Sequence, residues 1–71
     1  MKNSYMEVST FQEGNLKATV LRTSGRTENY YGCRFYIDES SLGIEWYEGK
    51  TELYAENAAE NYVQGIKKYP V

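Results

Sequence analysis

The chain has 71 residues, of which 41% are hydrophobic and 25% charged, with a formal charge of −2, a composition that suits one small globular domain (residues 1–71) and is too apolar for a disordered chain. One cysteine, Cys33, excludes an internal disulfide, and the absence of histidine excludes zinc sites of ordinary spacing and histidine general-base chemistry. Charge is segregated into +2 over residues 1–37, −6 over 38–60 and +2 over 61–71, so the centre of the chain is poor material for gripping phosphates.

Residues Tyr5 to Gln12 alternate, with Met6, Val8 and Thr10 on one side and Tyr5, Glu7, Ser9 and Phe11 on the other, which predicts a first strand. Glu13-Gly14-Asn15 supplies turn chemistry, and Leu16 to Thr23 alternates again, placing Leu16, Ala18 and Val20 opposite Lys17, Thr19 and Leu21. The polar stretch Ser24 to Asn29 has no period and reads as a loop. Tyr31, Cys33, Phe35 and Ile37 then form the cleanest period-two series, against Gly32, Arg34, Tyr36 and Asp38. Asp38 to Ser41 reads as a turn, and Leu42, Ile44 and Trp46 carry the apolar face onto a fourth strand, with Glu45 and Tyr47 opposite. From Thr51, a plausible N-cap, the period becomes helical, with Ala55, Ala58, Ala59, Tyr62 and Ile66 on one stripe of a helix spanning Thr51 to Lys67 before Pro70. The expected fold is α+β: a four-stranded antiparallel meander with one C-terminal helix across one face, ββββα. Phe35, Ile37, Ile44, Trp46, Ala58 and Tyr62 are the expected core.

This assignment leaves Tyr5, Phe11, Leu21, Tyr36 and Tyr47 on the sheet face away from the helix, with Arg34 among them. An apolar patch of that kind marks an interaction surface more often than an accident, and tyrosine supplies large contact area at small entropic cost. The competing explanation is cross-strand pairing that only stabilises the sheet. Aromatics with Lys17, Arg22, Arg26 and Arg34 also suit single-stranded nucleic acid, but the acidic centre of the chain opposes that ligand. An alternative site is the acidic stripe Glu52, Glu56 and Glu60, which could meet a basic protein surface and is otherwise a solvated helix face. Cys33 lies in an apolar series and reads as a buried, inert thiol. Asp38 and Glu39 are sequence neighbours that point apart, and Gly49-Lys50-Thr51 lacks the upstream glycine of a phosphate loop.

Two resemblances follow from these residues. Gly49-Lys50-Thr51 with Ala55, Ala58 and Ala59 resembles the strand-to-helix end of double-stranded RNA-binding domains, over residues 31–68. The paired lysines that meet phosphate in that family are Glu52 and Leu53 here, so the resemblance carries packing and not RNA binding. The ending GIEWYEGKTELYAENAAENYVQGIKK is similar in style to small uncharacterised proteins of bacteriophages, including those infecting marine cyanobacteria, which implies an accessory role in binding host machinery.

The sequence therefore predicts a non-enzymatic protein-binding or self-associating module whose partner is a second copy (a homodimer) or a host protein. A nucleic-acid-binding module is the runner-up. An enzyme comes third, since the chain has no histidine and is expected to be too small to enclose a pocket of the usual ~300 Å³ or more. No catalytic residue, metal ligand or cofactor is expected. No apolar run approaches the ~18 residues of a membrane span and the first ten residues lack a signal-peptide core, so a cytoplasmic location is expected.

Overall fold

The structure is a computed structural model that describes residues 5–24 and 29–69. Its elements follow the expected order: β1 (Tyr5–Glu13), β2 (Leu16–Thr23), β3 (Tyr31–Ile37), β4 (Ser40–Tyr47) and α1 (Glu52–Val63). The strands form one antiparallel sheet in the order β1-β2-β3-β4, with each strand beside its neighbour in sequence. Tight turns make this possible. Gly14, at φ +60°, opens the two-residue link from β1 to β2, where a side chain would be strained. The link from β3 to β4 is Asp38 and Glu39, both at positive φ (52° and 69°), so the strand resumes at Ser40, earlier than the four-residue turn expected from composition. Of the loop expected from Ser24 to Asn29, residues 25–28 lie outside the described residues. Its base is tied by Thr23 N–H to the Tyr30 carbonyl (2.9 Å) and by Tyr30 N–H to Thr23 Oγ1 (3.0 Å).

Two single-residue insertions decide which side chains meet the helix. In β1 the register passes from Glu7 opposite Leu21 to Ser9 opposite Val20, leaving Val8 unpaired. In β4 it passes from Ser41 opposite Tyr36 to Gly43 opposite Phe35, leaving Leu42 unpaired. Each such bulge reverses the alternation of the residues beyond it. Tyr5 and Phe11 therefore lie on opposite faces, and Phe11 joins the helix side opposite Ala18. The bulge at Leu42 likewise turns Ile44 and Trp46 to the face away from the helix and brings Glu45 and Tyr47 to the helix-side face, the reverse of the expected arrangement.

The core consists of Ala18, Val20, Cys33 and Phe35 from the sheet and Ala55, Ala59, Tyr62 and Val63 from the helix, with Phe11, Leu16, Tyr31, Tyr47, Ala58 and Tyr69 packed around them. Of the expected core, Phe35 and Tyr62 are buried and Ala58 is half-buried, whereas Ile37 at the end of β3 and Trp46 are each 36% exposed. Met6 and Val8, expected beneath the helix, are exposed near the β1 bulge.

Thr51 caps α1 as expected, its Oγ1 accepting from Tyr54 N–H at 3.2 Å. The helix ends at Val63 and not near Lys67, because Gly65 takes a left-handed conformation (φ 83°). Gly65 N–H then donates to the Tyr62 carbonyl and Ile66 N–H to that of Asn61 (3.0 and 2.8 Å), closing the helix in a Schellman motif. Ile66 is consequently 68% exposed and off the buried stripe. The helix crosses β2, β3 and β1, and the segment after it returns to β4, where Lys67 meets Glu45 and Tyr69 meets Gly43. There Tyr69 stacks on Phe35 (ring centroids 4.8 Å apart) and passes over Gly43, where a Cβ would stand 2.7 Å from the Tyr69 hydroxyl. Gly43, at φ +145°, meets both demands because it has no side chain.

Candidate functional site

The face opposite the helix carries an aromatic cluster of its own. Glu7, Leu21, Gly32 and Trp46 form one row across the four strands. Leu21 is fully buried although it lies outside the helix-side core, and Trp46 lies directly across Gly32. Tyr5 and Tyr30 meet the indole edge to face, with ring centroids at 5.9 and 5.6 Å. In the adjoining rows Arg34 pairs with Ile44, and Lys17 with Tyr36. Arg34 donates to the Tyr5 hydroxyl with its guanidinium 5.5 Å from that ring, and Lys17 Nζ stands 4.4 Å from the Tyr36 ring. The phenols of Tyr36 and Tyr5 hold the Arg34 pKa above its ordinary value.

Four of the six residues proposed from sequence, Tyr5, Leu21, Arg34 and Tyr36, thus lie on this face, with Leu21 buried within it and the other three half-buried. Phe11 and Tyr47 do not, since they pack against the helix-side core. Sequence reasoning missed Tyr30, Ile44 and Trp46. A glycine inside an otherwise bulky strand, Gly32, was the available signal, because it marks a place where another group approaches the backbone closely.

The acidic stripe is present on α1, with Glu52 and Glu56 half-buried and Glu60 exposed. Gln64 Nε2 donates to Glu60 at 3.3 Å. The stripe lies on the flank of α1 that turns away from β4, because helical spacing separates it from Tyr54, Asn57 and Asn61, which face β4.

Between β4 and α1 runs an open groove of about 560 Å³, lined by Glu45, Trp46, Tyr47, Tyr54, Asn57, Ala58, Asn61 and Lys67. The groove exists because the helix spans β1 to β3 and leaves the inner side of β4 open, and it is a surface groove and not an enclosed pocket. At the groove floor the Tyr47 hydroxyl donates to Glu45 Oε1 (2.7 Å), which also receives Lys67 Nζ (3.0 Å). Burial, and then the bond to Glu45, push the Tyr47 pKa above its ordinary value. Cys33 lies behind this chain with its Sγ–H donating to the Ala55 carbonyl (3.2 Å), and burial raises its thiol to about 12. Such a thiol is protonated at neutral pH and is no nucleophile. Among the described residues no group of three or more histidine, cysteine or carboxylate side chains is placed to hold a metal ion, and no helix is long and apolar enough to cross a membrane.

In comparisons with protein-family models, curated proteins and solved structures, nothing matches the chain.

Proposed function

We propose that the protein is a non-enzymatic association module that works through the sheet face opposite the helix. The observation that carries this reading is the aromatic cluster around Trp46, which is 36% exposed and rimmed by half-buried Tyr5, Tyr30, Tyr36 and Ile44 on a face that no element of the described chain covers. A soluble domain gains free energy by removing such a surface from water, at about 25 cal/mol per Å² of apolar area. The first occupant proposed is a second copy, packed sheet on sheet about 10 Å away.

Size sets the strength of such a pair. Four strands of seven to nine residues at ~4.8 Å spacing and ~3.4 Å rise present a face of roughly 500 Å². Two of these bury about 1,000 Å² in total, the lower limit for a specific interface. The dimer should therefore be weak and dependent on concentration. If the chain serves a bacteriophage, as its style implies, a host protein is the alternative occupant of the same face. Nucleic acid has less support, because Lys17 and Arg34 already stand at the tyrosine rings on which bases would stack.

The test is the solution mass by sedimentation equilibrium across a concentration series. Tyr36→Ser combined with Ile44→Lys removes apolar area and adds charge at the middle of the face, while leaving buried Leu21 in place. The parent should shift toward a dimer as concentration rises and the variant should stay monomeric. A parent that never departs from monomer mass refutes the homotypic form of the reading.

A further inference from the structure

We infer that the groove between β4 and α1 binds a neutral glycan, with a sugar ring stacked at its tyrosine end and the sugar hydroxyls held at its asparagine end. This inference does not depend on the sheet-face reading, which concerns the other side of the sheet.

The two ends of the groove differ in chemistry. At one end Tyr47 of β4 and Tyr54 in the first turn of α1 meet edge to face, with ring centroids 5.2 Å apart, and Tyr54 is 47% exposed. At the other end lie Glu45, two residues earlier in β4 and on the same face, and Lys67, whose Nζ stands 3.0 Å from the Glu45 carboxylate. Asn61 belongs to that end too, because Lys67 N–H donates to the Asn61 carbonyl at 3.1 Å. Between the ends, helical spacing puts Asn57 and Ala58 on the same stripe of α1 as Tyr54 and Asn61. The small side chain of Ala58 leaves the middle of that stripe hollow.

Charge excludes ionic ligands. Glu45 is the single carboxylate lining the groove and Lys67 the single ammonium, and they are paired with each other. A charged ligand would lose water there without gaining an unpaired partner of opposite sign, so the walls favour a neutral one.

Hydrogen-bonding capacity narrows the choice. Asn57 and Asn61 are exposed, and among the described residues neither side chain is engaged in a hydrogen bond within the protein. Each carboxamide both donates and accepts, and Glu45 keeps acceptor capacity beyond the Tyr47 hydroxyl and Lys67, since a carboxylate offers about four lone-pair sites. An apolar ligand would cover these groups without satisfying them. A nucleobase carries its polar atoms along one edge and would serve one wall only. A pyranose carries hydroxyls around its ring, each a donor and an acceptor, which matches polar groups on both walls. Its C–H face packs on the electron-rich face of a tyrosine. Lys50 Nζ, 5.3 Å from the Tyr54 ring, sits on an exposed and flexible side chain that a sugar ring can displace. Because the groove is open to solvent, it suits a stretch of a longer glycan whose neighbouring residues remain in water.

The experiment is an NMR titration of the isotope-labelled full chain with three neutral probes, cellotetraose, maltotetraose and the N-acetylated chitotetraose, and with tetragalacturonate and adenosine as controls. At least one neutral tetrasaccharide should move the side-chain amides of Asn57 and Asn61 and the backbone amides of Glu45 and Tyr54, saturably. The two controls should bind at least about tenfold more weakly, one for its charge and the other for its one-edged polarity. Tyr54→Ala should weaken binding by about three- to tenfold and Tyr54→Phe should retain it, because the ring face is what stacks. Asn57→Ala with Asn61→Ala should weaken it by about tenfold or more. All of these positions are exposed, so circular dichroism should show the fold intact. Tyr36→Ser with Ile44→Lys should leave binding unchanged, which separates this site from the sheet face. No shift at the groove with any of the three neutral probes, equal or tighter binding of either control, or full binding by Tyr54→Ala would overturn the inference.

Discussion

Because the Trp46 indole lies across the backbone of β3, a methyl group at position 32 has nowhere to go. A Cβ on Gly32 would stand 2.5 Å from Trp46 Cε3 and 2.6 Å from the Glu45 carbonyl oxygen, both far inside van der Waals contact. The indole can swing aside, but the carbonyl belongs to the paired backbone of β4 and can yield only by loosening the ladder there. Overpacking of this kind costs about 1–3 kcal/mol. A chain of this length has roughly 4–10 kcal/mol in total, and each kcal/mol moves Tm by about 4–8 °C. Gly32→Ala should thus fold but melt roughly 5–20 °C lower. Trp46 is the only tryptophan, so its emission reports the displacement directly and should move to longer wavelength as the ring leaves Tyr5 and Tyr30. Thermal melting by circular dichroism and steady-state fluorescence provide the two readings. If Gly32→Ala melts with the parent and its emission is unchanged, Trp46 is not on this face and the register of β4 is wrong.

Three further outcomes follow from the core, a turn and the buried titratable groups. Phe35→Ala should cost about 3–5 kcal/mol, most of the stability of the domain, because Phe35 is fully buried between Tyr62 and Tyr69; urea denaturation measures it. Glu39→Gly should raise stability by about 0.5–1 kcal/mol, since Glu39 holds φ at 69° where a side chain costs about 1–2 kcal/mol and glycine's extra chain entropy offsets part of the gain. Stability should change little on account of Cys33 below pH 9 and fall between pH 9 and about 12. The folded thiol holds its proton above the value at which the unfolded thiol releases it, so rising pH favours unfolding; Tyr47, also raised, acts in the same direction above its ordinary value. A melting temperature that rises across this interval would contradict the burial of both groups.

The order of elements was legible because each carries a local signal: the alternation of Tyr31 to Ile37, the turn residues Gly14 and Asn15, and the Thr51 cap. The partition of side chains between faces was not, because alternation fixes neighbours only relative to one another. An unpaired Val8 or Leu42 leaves the local pattern intact and reverses its meaning on the far side. Hence an aromatic face opposite the helix is legible in the sequence, whereas Phe11 and Tyr47 are assigned to it in error and Trp46 to the core. Gly43 beside Leu42 was a readable hint, since glycine within a strand often accompanies a bulge. The groove was less accessible still. It depends on how far α1 reaches across the sheet, and the early end of that helix at Gly65 lets the chain turn back and bring Lys67 to Glu45 and Tyr69 to Gly43 in β4.

Both outermost strands of the sheet contain a bulge, Val8 in β1 and Leu42 in β4, and this bears on what a crowded solution of the protein would do. Strands rich in tyrosine and β-branched residues are good material for fibrils, whose growth requires every molecule to offer two straight, matching edges. Here one edge is broken near its start and lined with carboxylates, and the other is regular over only its last few residues. Addition to the second edge can satisfy a single short segment and leaves no equivalent edge from which a stack could continue. Deleting Leu42 would straighten β4 and should make the protein more prone to assemble edge to edge.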